Sequence, residues 1–546
     1  MRFLIRWPDG LAESCYSPSL VIKDFFAPGT TYPLADFVER SRSALNVASD
    51  RVRAKYGFAC SSAMEQLARI ETAARAFAHL PDARVSVDAF EERGGAAMSA
   101  AQMAQQATQQ ATQQATQQAT PAAHHSVAVI GGGQAGLSIS WFLSKSGIDH
   151  VVFEKQRAGH VWRVERWDTF CLVTPNWQCQ LPGFPYRGPD PHGFMLRDQI
   201  IDYIDGYVAS FNPPLREGVT VRSLRPNGQH GFALEATNGL HTADQVVIAA
   251  GGYQIPLIPR CAERLPGHIV QISSAVYRNP DALPAGAVLV VGSGQSGCQI
   301  AEDLHLAGRK VHLCVGDAPR VARRYRGKDV VEWLHLMGYY DLPVHAHPLR
   351  EGVRDKTNHY VTGRDGGRDI DLRQRACEGM ELYGRLLDVR GDMLLLDDDL
   401  ALCLDQADQV SESIKTSIDG FIAKKAIAAP EEPRYRPVWV PPHERPQLDY
   451  REAAIRSIVW CIGFRTDYGW IDLPVFNGRG QPSHVRGVAP VPGVYFLGLP
   501  WLYTWGSGRF SGVARDAEHV ADHIKMRIGS APADSRAAVN EAAIGS

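Results

Sequence analysis

The stretch Val127–Gly136 reads VAVIGGGQAG. Its four leading apolar residues, Val127 to Ile130, predict a short buried strand, and LSISWFLSKSG from Leu137 predicts an amphipathic helix. Between them, Gly131, Gly133 and Gly136 occupy the glycine positions of G-x-G-x-x-G. The first permits a tight turn, the second lets backbone approach a pyrophosphate, and the third lets helix pack on strand. The helix start, through Gln134, Ala135 and Gly136, offers free N–H groups and the positive dipole end to phosphates. The following strand, His150–Glu154 (HVVFE), ends in an acid about 20 residues past the turn, where a carboxylate takes ribose hydroxyls. Lys155 follows it directly. Strand, turn, helix and acid in register predict a dinucleotide site; the alternative is a glycine-rich turn without a ligand.

A second copy of the pattern lies further on. Ala287–Val291 (AVLVV) is an apolar strand, and GSGQSG places Gly292, Gly294 and Gly297 at the same three positions, with Gln295 and Ser296 between them. The helix CQIAEDLHLAG and the strand Lys310–Val315 follow. Two copies predict two nucleotides whose reactive rings must meet. The second copy has no carboxylate at the ribose position. It carries Arg320, Arg323, Arg324 and Arg326 instead, and an arginine there accommodates a 2′-phosphate, which favours NADPH over NADH. The competing reading makes these arginines surface charges or partners of Asp329 and Glu332.

Two strands ending in small residues, Asp244–Gly252 (DQVVIAAGG) and Ile458–Phe464 (IVWCIGF), read as crossovers between the nucleotide domains. Gly251 and Gly463 would there allow close backbone approach. In the C-terminal block, strand VYFLGL ends near Gly498, and a Gly/Ser-rich turn opens a helix at about Gly512, whose N-terminus would favour negative charge.

Bulk properties set the frame. A chain of 546 residues is too long for one core. A net charge of −2 gives no global attraction for nucleic acid or anionic lipid. The N-terminus MRFLIRWPDG lacks an apolar signal region, and no run of about 18 apolar residues exists, so a cytoplasmic chain with no membrane span is expected. The ten cysteines show no C-x-x-C and no zinc spacing, which predicts reduced core thiols. His345 and His347 form an H-x-H without a third ligand, so no metal is expected.

Residues 1–93 form a first unit. Phe3, Ile5 and Trp7 alternate as in a half-buried strand, Asp9-Gly10 is a hairpin dipeptide, and Leu34–Val47 and Ser49–Leu80 read as helices. Arg51, Arg53 and Lys55 read as a solvated helix face. Residues 94–122, built on ATQQ repeats, are a low-complexity linker that cannot bury enough apolar area to offset ordering entropy. Residues 529–546 read as a disordered tail.

Two resemblances sharpen the reading. RWPDG, CYSPSLVIKDFF, YPLADFVERSRSALNVASDRVRAKYGFAC and AMEQLARIE make the first segment similar to short, free-standing nitrogen-starvation-response proteins. VIGGGQAGLS, GHVWRVERWDTFCLVTPNWQCQLPGFPY, VVGSGQSG, RRYRGKD, VWCIGFRTD and FLGLPWLYTWGSGRF make residues 124–528 resemble the class B type flavoprotein monooxygenases. That group includes flavin-containing, N-hydroxylating and Baeyer–Villiger enzymes. The nearest likeness is to a bacterial branch of FAD-dependent oxidoreductases whose genes accompany the nitrogen-starvation proteins.

The resemblance implies an α/β chain with two Rossmann-like domains, the second inserted in the first, preceded by a small α+β domain. FAD would be held by 123–275 with 450–528, and NADPH by 276–449, including a helical insertion at Leu400–Lys425 that would cover the substrate. By resemblance, FAD sits on Gly131, Gly133, Gly136 and Glu154, with Trp162 and Arg163 near it. NADPH sits on Gly292, Gly294, Gly297 and an arginine among Arg320–Arg326, with Arg320 and Arg323 the leading candidates. Asn176, in LVTPN, matches an asparagine beside flavin C4a, where its carboxamide would donate to a bound peroxide; the plain alternative is a turn residue after Pro175. Gly463 and Gly498 approach the cofactor through backbone. One hallmark, F-x-G-x-x-x-H before an aromatic, is not met: Gln271 stands four after Gly267, and Ser273 four before Tyr277.

The implied activity is an NADPH-dependent monooxygenase that works through a flavin C4a-(hydro)peroxide on O₂ and a small, nitrogen-containing substrate. A flavin oxidase or reductase of the same architecture, or a non-catalytic flavin-bound regulator, are the alternatives. A homodimer, and a pathway partner for the N-terminal unit, complete the expectations.

Overall fold

The computed structural model describes residues 2–10, 12–17, 20–56, 66–67, 69–71, 73–74, 77, 80, 82–91, 123–228 and 231–530. The chain divides into two units, Met1–Ala119 and Thr120–Ser546. The 94–122 linker, residues 531–546 and the side chains of Arg51, Arg53 and Lys55 lie outside the described residues.

In the first unit, β1 (Arg2–Arg6), β2 (Ala12–Tyr16), β3 (Thr30–Pro33), α1 (Leu34–Tyr56) and β4 (Arg84–Glu91) build an antiparallel sheet in the order β2-β1-β4-β3. The expected alternation holds: Phe3, Ile5 and Trp7 are buried with Phe26, Phe37, Leu45, Val85 and Val87. Gly10 takes φ +86° in the β1–β2 turn, and its N–H donates to the Trp7 carbonyl. α1 runs without a break through Val47–Ser49, where the sequence suggests two helices.

In the second unit the chain alternates strands and helices. The elements are β5 (Ala123–Ile130), α2 (Gln134–Lys145), β6 (His150–Glu154), β7 (Leu215–Glu217), β8 (Val221–Pro226), β9 (Phe232–Ala236), β10 (Gly239–Ile248), β11 (Val270–Ser273), β12 (Ala287–Val291), α3 (Gln295–Leu306), β13 (Val311–Cys314), β14 (Glu381–Tyr383), α4 (Leu400–Lys425), β15 (Ile455–Trp460), β16 (Val494–Phe496) and α5 (Val513–Ser530). The first sheet has the order β8-β9-β10-β5-β6-β7, with β16 alongside β10. The second is wholly parallel, β11-β15-β12-β13-β14. Both central strands are buried on both faces, which is why they read as unbroken apolar runs.

Three expectations are corrected. First, β11 and β15 belong to the second sheet, although 123–275 and 450–528 were the ranges expected around the first. A parallel strand buried on both faces is equally apolar in either sheet, so composition cannot assign it. Second, α4 spans Leu400–Lys425 as expected, but its buried face belongs to the core and does not serve as a substrate cover. Leu400, Cys403 and Leu404 pack into the second sheet's core, and Ile418 and Ile422 pack against Tyr325 and Trp333. Third, α5 continues to Ser530, past the expected start of the tail. Among the described residues, nine cysteines are free and eight of them are buried, and no helix is long and apolar enough to cross a membrane.

Candidate active site

The first glycine turn is shaped by what lies under it. Gly131 has φ +116°, and a Cβ there would run into the Ala249 carbonyl at the end of β10; a Cβ on Gly136 would strike the Gly131 carbonyl. Gly133 differs, since a Cβ there would meet no atom within 4 Å. Two glycines are thus required by packing, and the third faces open space. Glu154, buried at the end of β6, accepts the Gly132 N–H at 2.7 Å and the Gln156 N–H at 2.9 Å, which fixes its carboxylate at the rim of the turn. Lys155 is exposed.

The second turn repeats this geometry. A Cβ on Gly292 would sit 2.7 Å from the Cys461 carbonyl, and one on Gly297 would strike the Gly292 carbonyl. A Cβ on Gly294 would have only the Thr357 methyl nearby, at 3.8 Å. Ala249 and Cys461 therefore play the same part beneath the two turns. The registers end at Val291↔Cys314 and Ile130↔Phe153, so Val315 follows the second pair where Glu154 follows the first. Neither α2 nor α3 has a side-chain N-cap. Each helix leaves its first N–H groups for a ligand, and each turn leaves the space a diphosphate would need. The residues present fit two dinucleotides.

Each turn is also tied to the loop across from it by the glutamine after its second glycine. Gln134 Nε2 donates to the Gly508 carbonyl at 2.9 Å, and its Oε1 accepts from Trp162 Nε1 at 3.3 Å. Gln295 Nε2 donates to the Val361 carbonyl at 2.6 Å, and Val361 N–H returns a bond to its Oε1 at 3.2 Å. The two loops then meet, because Arg509 donates to Asn358 Oδ1 at 2.8 Å. The turns face one seam and not opposite sides of the unit. Ala135 packs beneath Gly498, where a Cβ would come within 2.7 Å of its methyl. Ser296, in the second turn, is half-buried. Gly463 takes φ +98°, and its carbonyl accepts the Leu257 N–H, joining the two crossovers in a short ribbon, Ile255↔Arg465 and Pro256↔Phe464.

Trp162 stacks on Phe510 at 5.3 Å, so its ring reaches the seam. Arg163 does not. Its guanidinium pairs with Asp205, and its Nε donates to the Ala158 carbonyl, so it anchors a helix start. Asn176 is buried; Nδ2 donates to the Asp190 carbonyl at 2.9 Å and Oδ1 accepts the Met195 N–H at 2.7 Å. It clamps the 190–195 loop and keeps one amide N–H uncommitted. Gln271 is held between the Ala262 carbonyl and Trp460 Nε1 in β11, a structural place for the missing fingerprint histidine. His345 and His347 pack on the rings of Tyr503 and Trp501.

The expectation that Arg320 or Arg323 reads a 2′-phosphate is corrected. Arg320 is 4% exposed, 3.0 Å from Asp408 and 3.5 Å from Asp371, and stacked over Tyr435 at 4.1 Å. Arg323 is 2% exposed; it pairs with Asp329 at 2.5 Å and donates to the Val173 carbonyl at 2.7 Å. Their charges are already matched by aspartates and both side chains are buried from solvent, so neither stands free to clasp a solvent-borne phosphate. At the end of β13 the side chain that passes over Gly316 is Arg385, from the end of β14, itself 2.6 Å from Asp399.

Sequence reasoning also missed Arg509, Asn358 and Tyr253. The signal for Arg509 lies within GSGRF, but its partners are brought in by the fold. Burial holds the pKa of Arg509, and that of Arg166 over Trp162, below the usual arginine value, and lowers that of His359.

Comparisons with known proteins agree with this architecture. Residues 2–90 match a family described as nitrogen starvation-induced protein NitG, and residues 128–337 match pyridine nucleotide-disulphide oxidoreductase. An uncharacterized CzcO-like oxidoreductase of Geobacillus kaustophilus is 32% identical over 402 residues, 73% of this chain and 97% of the relative. Indole-3-pyruvate monooxygenase YUCCA4 of Oryza sativa is 28% identical over 216 residues, which span 36% of this chain and 48% of that protein. Among solved structures, a flavin-containing monooxygenase from Stenotrophomonas maltophilia superposes with a TM-score of 0.51 at 19% identity, covering 74% of this chain and 99% of that one, a likeness of fold.

Proposed function

Since the chain belongs to the CzcO-like oxidoreductases, enzymes of the flavin-dependent oxidoreductase and monooxygenase type, we propose that it is an FAD- and NADPH-dependent monooxygenase acting on a small, nitrogen-containing metabolite. FAD and NADPH are its cofactors; FAD takes the first turn and NADPH the second. When bound, the flavin accepts hydride from NADPH and divides O₂ between substrate and water. The observation that carries the reading is the facing of two uncapped, open glycine turns across residues 508–510 and 357–361.

The chain's own residues bind, orient and exclude water. Glu154 supplies an acceptor at the first ribose, and the second turn, with Val315 in that place, leaves room for a substituted ribose. Gln134 and Gln295 hold the loops that close over the seam. Trp162, Phe510 and Trp505 wall it with apolar surface, which keeps water from the reacting centre. The uncommitted N–H of Asn176 is the donor assigned to the oxygen-activation step. The nitrogen-containing substrate is supported by the fused NitG-like segment.

The test begins with FAD-loaded protein mixed anaerobically with NADPH, then with oxygen. Rapid bleaching of the flavin, followed by reoxidation that releases much less than one hydrogen peroxide per NADPH when an amine substrate is present, is expected. Stoichiometric peroxide with every amine tried would make it an oxidase; no bleaching would refute the reading.

A further inference from the structure

Arg509 is a deep cation at the seam without an anionic partner among the described residues. Its guanidinium donates to the Trp505 carbonyl and to Asn358 Oδ1, and it stacks on the Trp505 ring at 4.0 Å. The titratable groups that face it are three phenols, Tyr253, Tyr339 and Tyr340, and no carboxylate. Arg320, Arg323 and Arg373 are buried too, and each is matched by an aspartate. An unmatched buried guanidinium is costly unless a ligand brings the opposite charge.

Arg509 keeps part of its surface free although it lies deep in the unit. Trp505 packs on Tyr340 at 4.6 Å, and Tyr253, directly after Gly252 on the crossover, is 53% exposed. Two of its five N–H groups are spent on the protein, which leaves donors for an oxyanion.

We propose that Arg509 selects an anionic substrate, holding the carboxylate of a small aromatic or apolar molecule seated among Trp505, Tyr340 and Tyr253. This rests on the monooxygenase reading and gives that site its substrate class. The other source of an oxyanion is a coenzyme phosphate, for which the two uncapped helix N-termini already provide donors.

The test uses the full-length FAD-loaded protein and follows the flavin absorbance spectrum as benzoate or benzamide is added. Benzoate is expected to bind at least about tenfold tighter than benzamide, since the charged hydrogen bonds are lost in the amide. Arg509→Gln should abolish that preference, and Arg509→Lys should keep part of it, with retained flavin absorbance reporting that each variant is folded. Equal binding of the two probes by the wild-type protein, or binding of neither, overturns the proposal. So does an Arg509→Gln variant that keeps the benzoate preference, or one that loses NADP⁺ affinity by the same factor as benzoate affinity. The monooxygenase reading fails separately, on NADPH-driven bleaching of the same preparation without any probe.

Discussion

Gln295 and Val361 exchange two hydrogen bonds, side-chain amide to backbone, at 2.6 and 3.2 Å. The second glycine turn is thereby fastened to the loop that carries Thr357 and Asn358. Gln295→Ala would remove both bonds, each worth about 0.5–1.5 kcal/mol. The expected outcome is a KM for NADPH raised by up to about 5- to 150-fold with flavin content unchanged, read by steady-state kinetics and absorbance.

Arg323→Ala would leave the half-buried Asp329 without its arginine, and Arg320→Ala would take from Asp408 one of two arginines, leaving Arg373 at 2.9 Å. Breaking a buried pair in this way costs about 3–5 kcal/mol. Both variants are expected to lower Tm by several degrees while the ratio of kcat/KM for NADPH over NADH stays as in the parent. A changed ratio at full stability would restore these residues to the coenzyme site.

Gly136→Ala and Gly297→Ala each drive a methyl into a carbonyl oxygen of the same turn. Gly133→Ala meets nothing in the protein. The first two are expected to abolish soluble, flavin-bearing protein. The third should fold, with a normal circular dichroism spectrum and thermal midpoint, and lose FAD through a clash with the ligand alone.

Asp516, in the first turn of α5, is 1% exposed, its Oδ2 has no hydrogen-bond partner, and burial pushes its pKa up to about 6. A carboxyl whose folded pKa exceeds its unfolded value of 3.8 favours the folded state fully below pH 3.8 and loses that contribution as pH rises through about 6. Above that window the penalty is on the order of 2–3 kcal/mol. Asp516→Asn is expected to raise Tm at pH 8 more than at pH 5, a difference that paired thermal melts would read.

Much of the fold was legible because its signals are local. VAVIGGGQAG and VLVVGSGQSG each hold a strand, a turn and a helix start within a few residues, and carbonyls beneath Gly131 and Gly292 demand glycine whatever the rest of the chain does. Domain boundaries were less legible, since Ile455–Trp460 and Val246–Ile248 have the same apolar character and lie in different sheets. The arginines after β13 misled for a related reason. Sequence shows a charge but not its partner, and the aspartates that claim Arg320 lie on α4 and the segment before Leu372.

By itself the sequence determined that this chain folds into two glycine-turn nucleotide sites behind a small, separate N-terminal unit, since backbone sterics and burial periodicity act over a few neighbouring residues. Which charges stand free was decided only by tertiary structure. Arg509 and Asn358 lie 151 residues apart and meet at the seam, while Arg323 is drawn into an ion pair with Asp329. Electrostatic energy depends on distance and burial in space, and those are set when the two sheets come together.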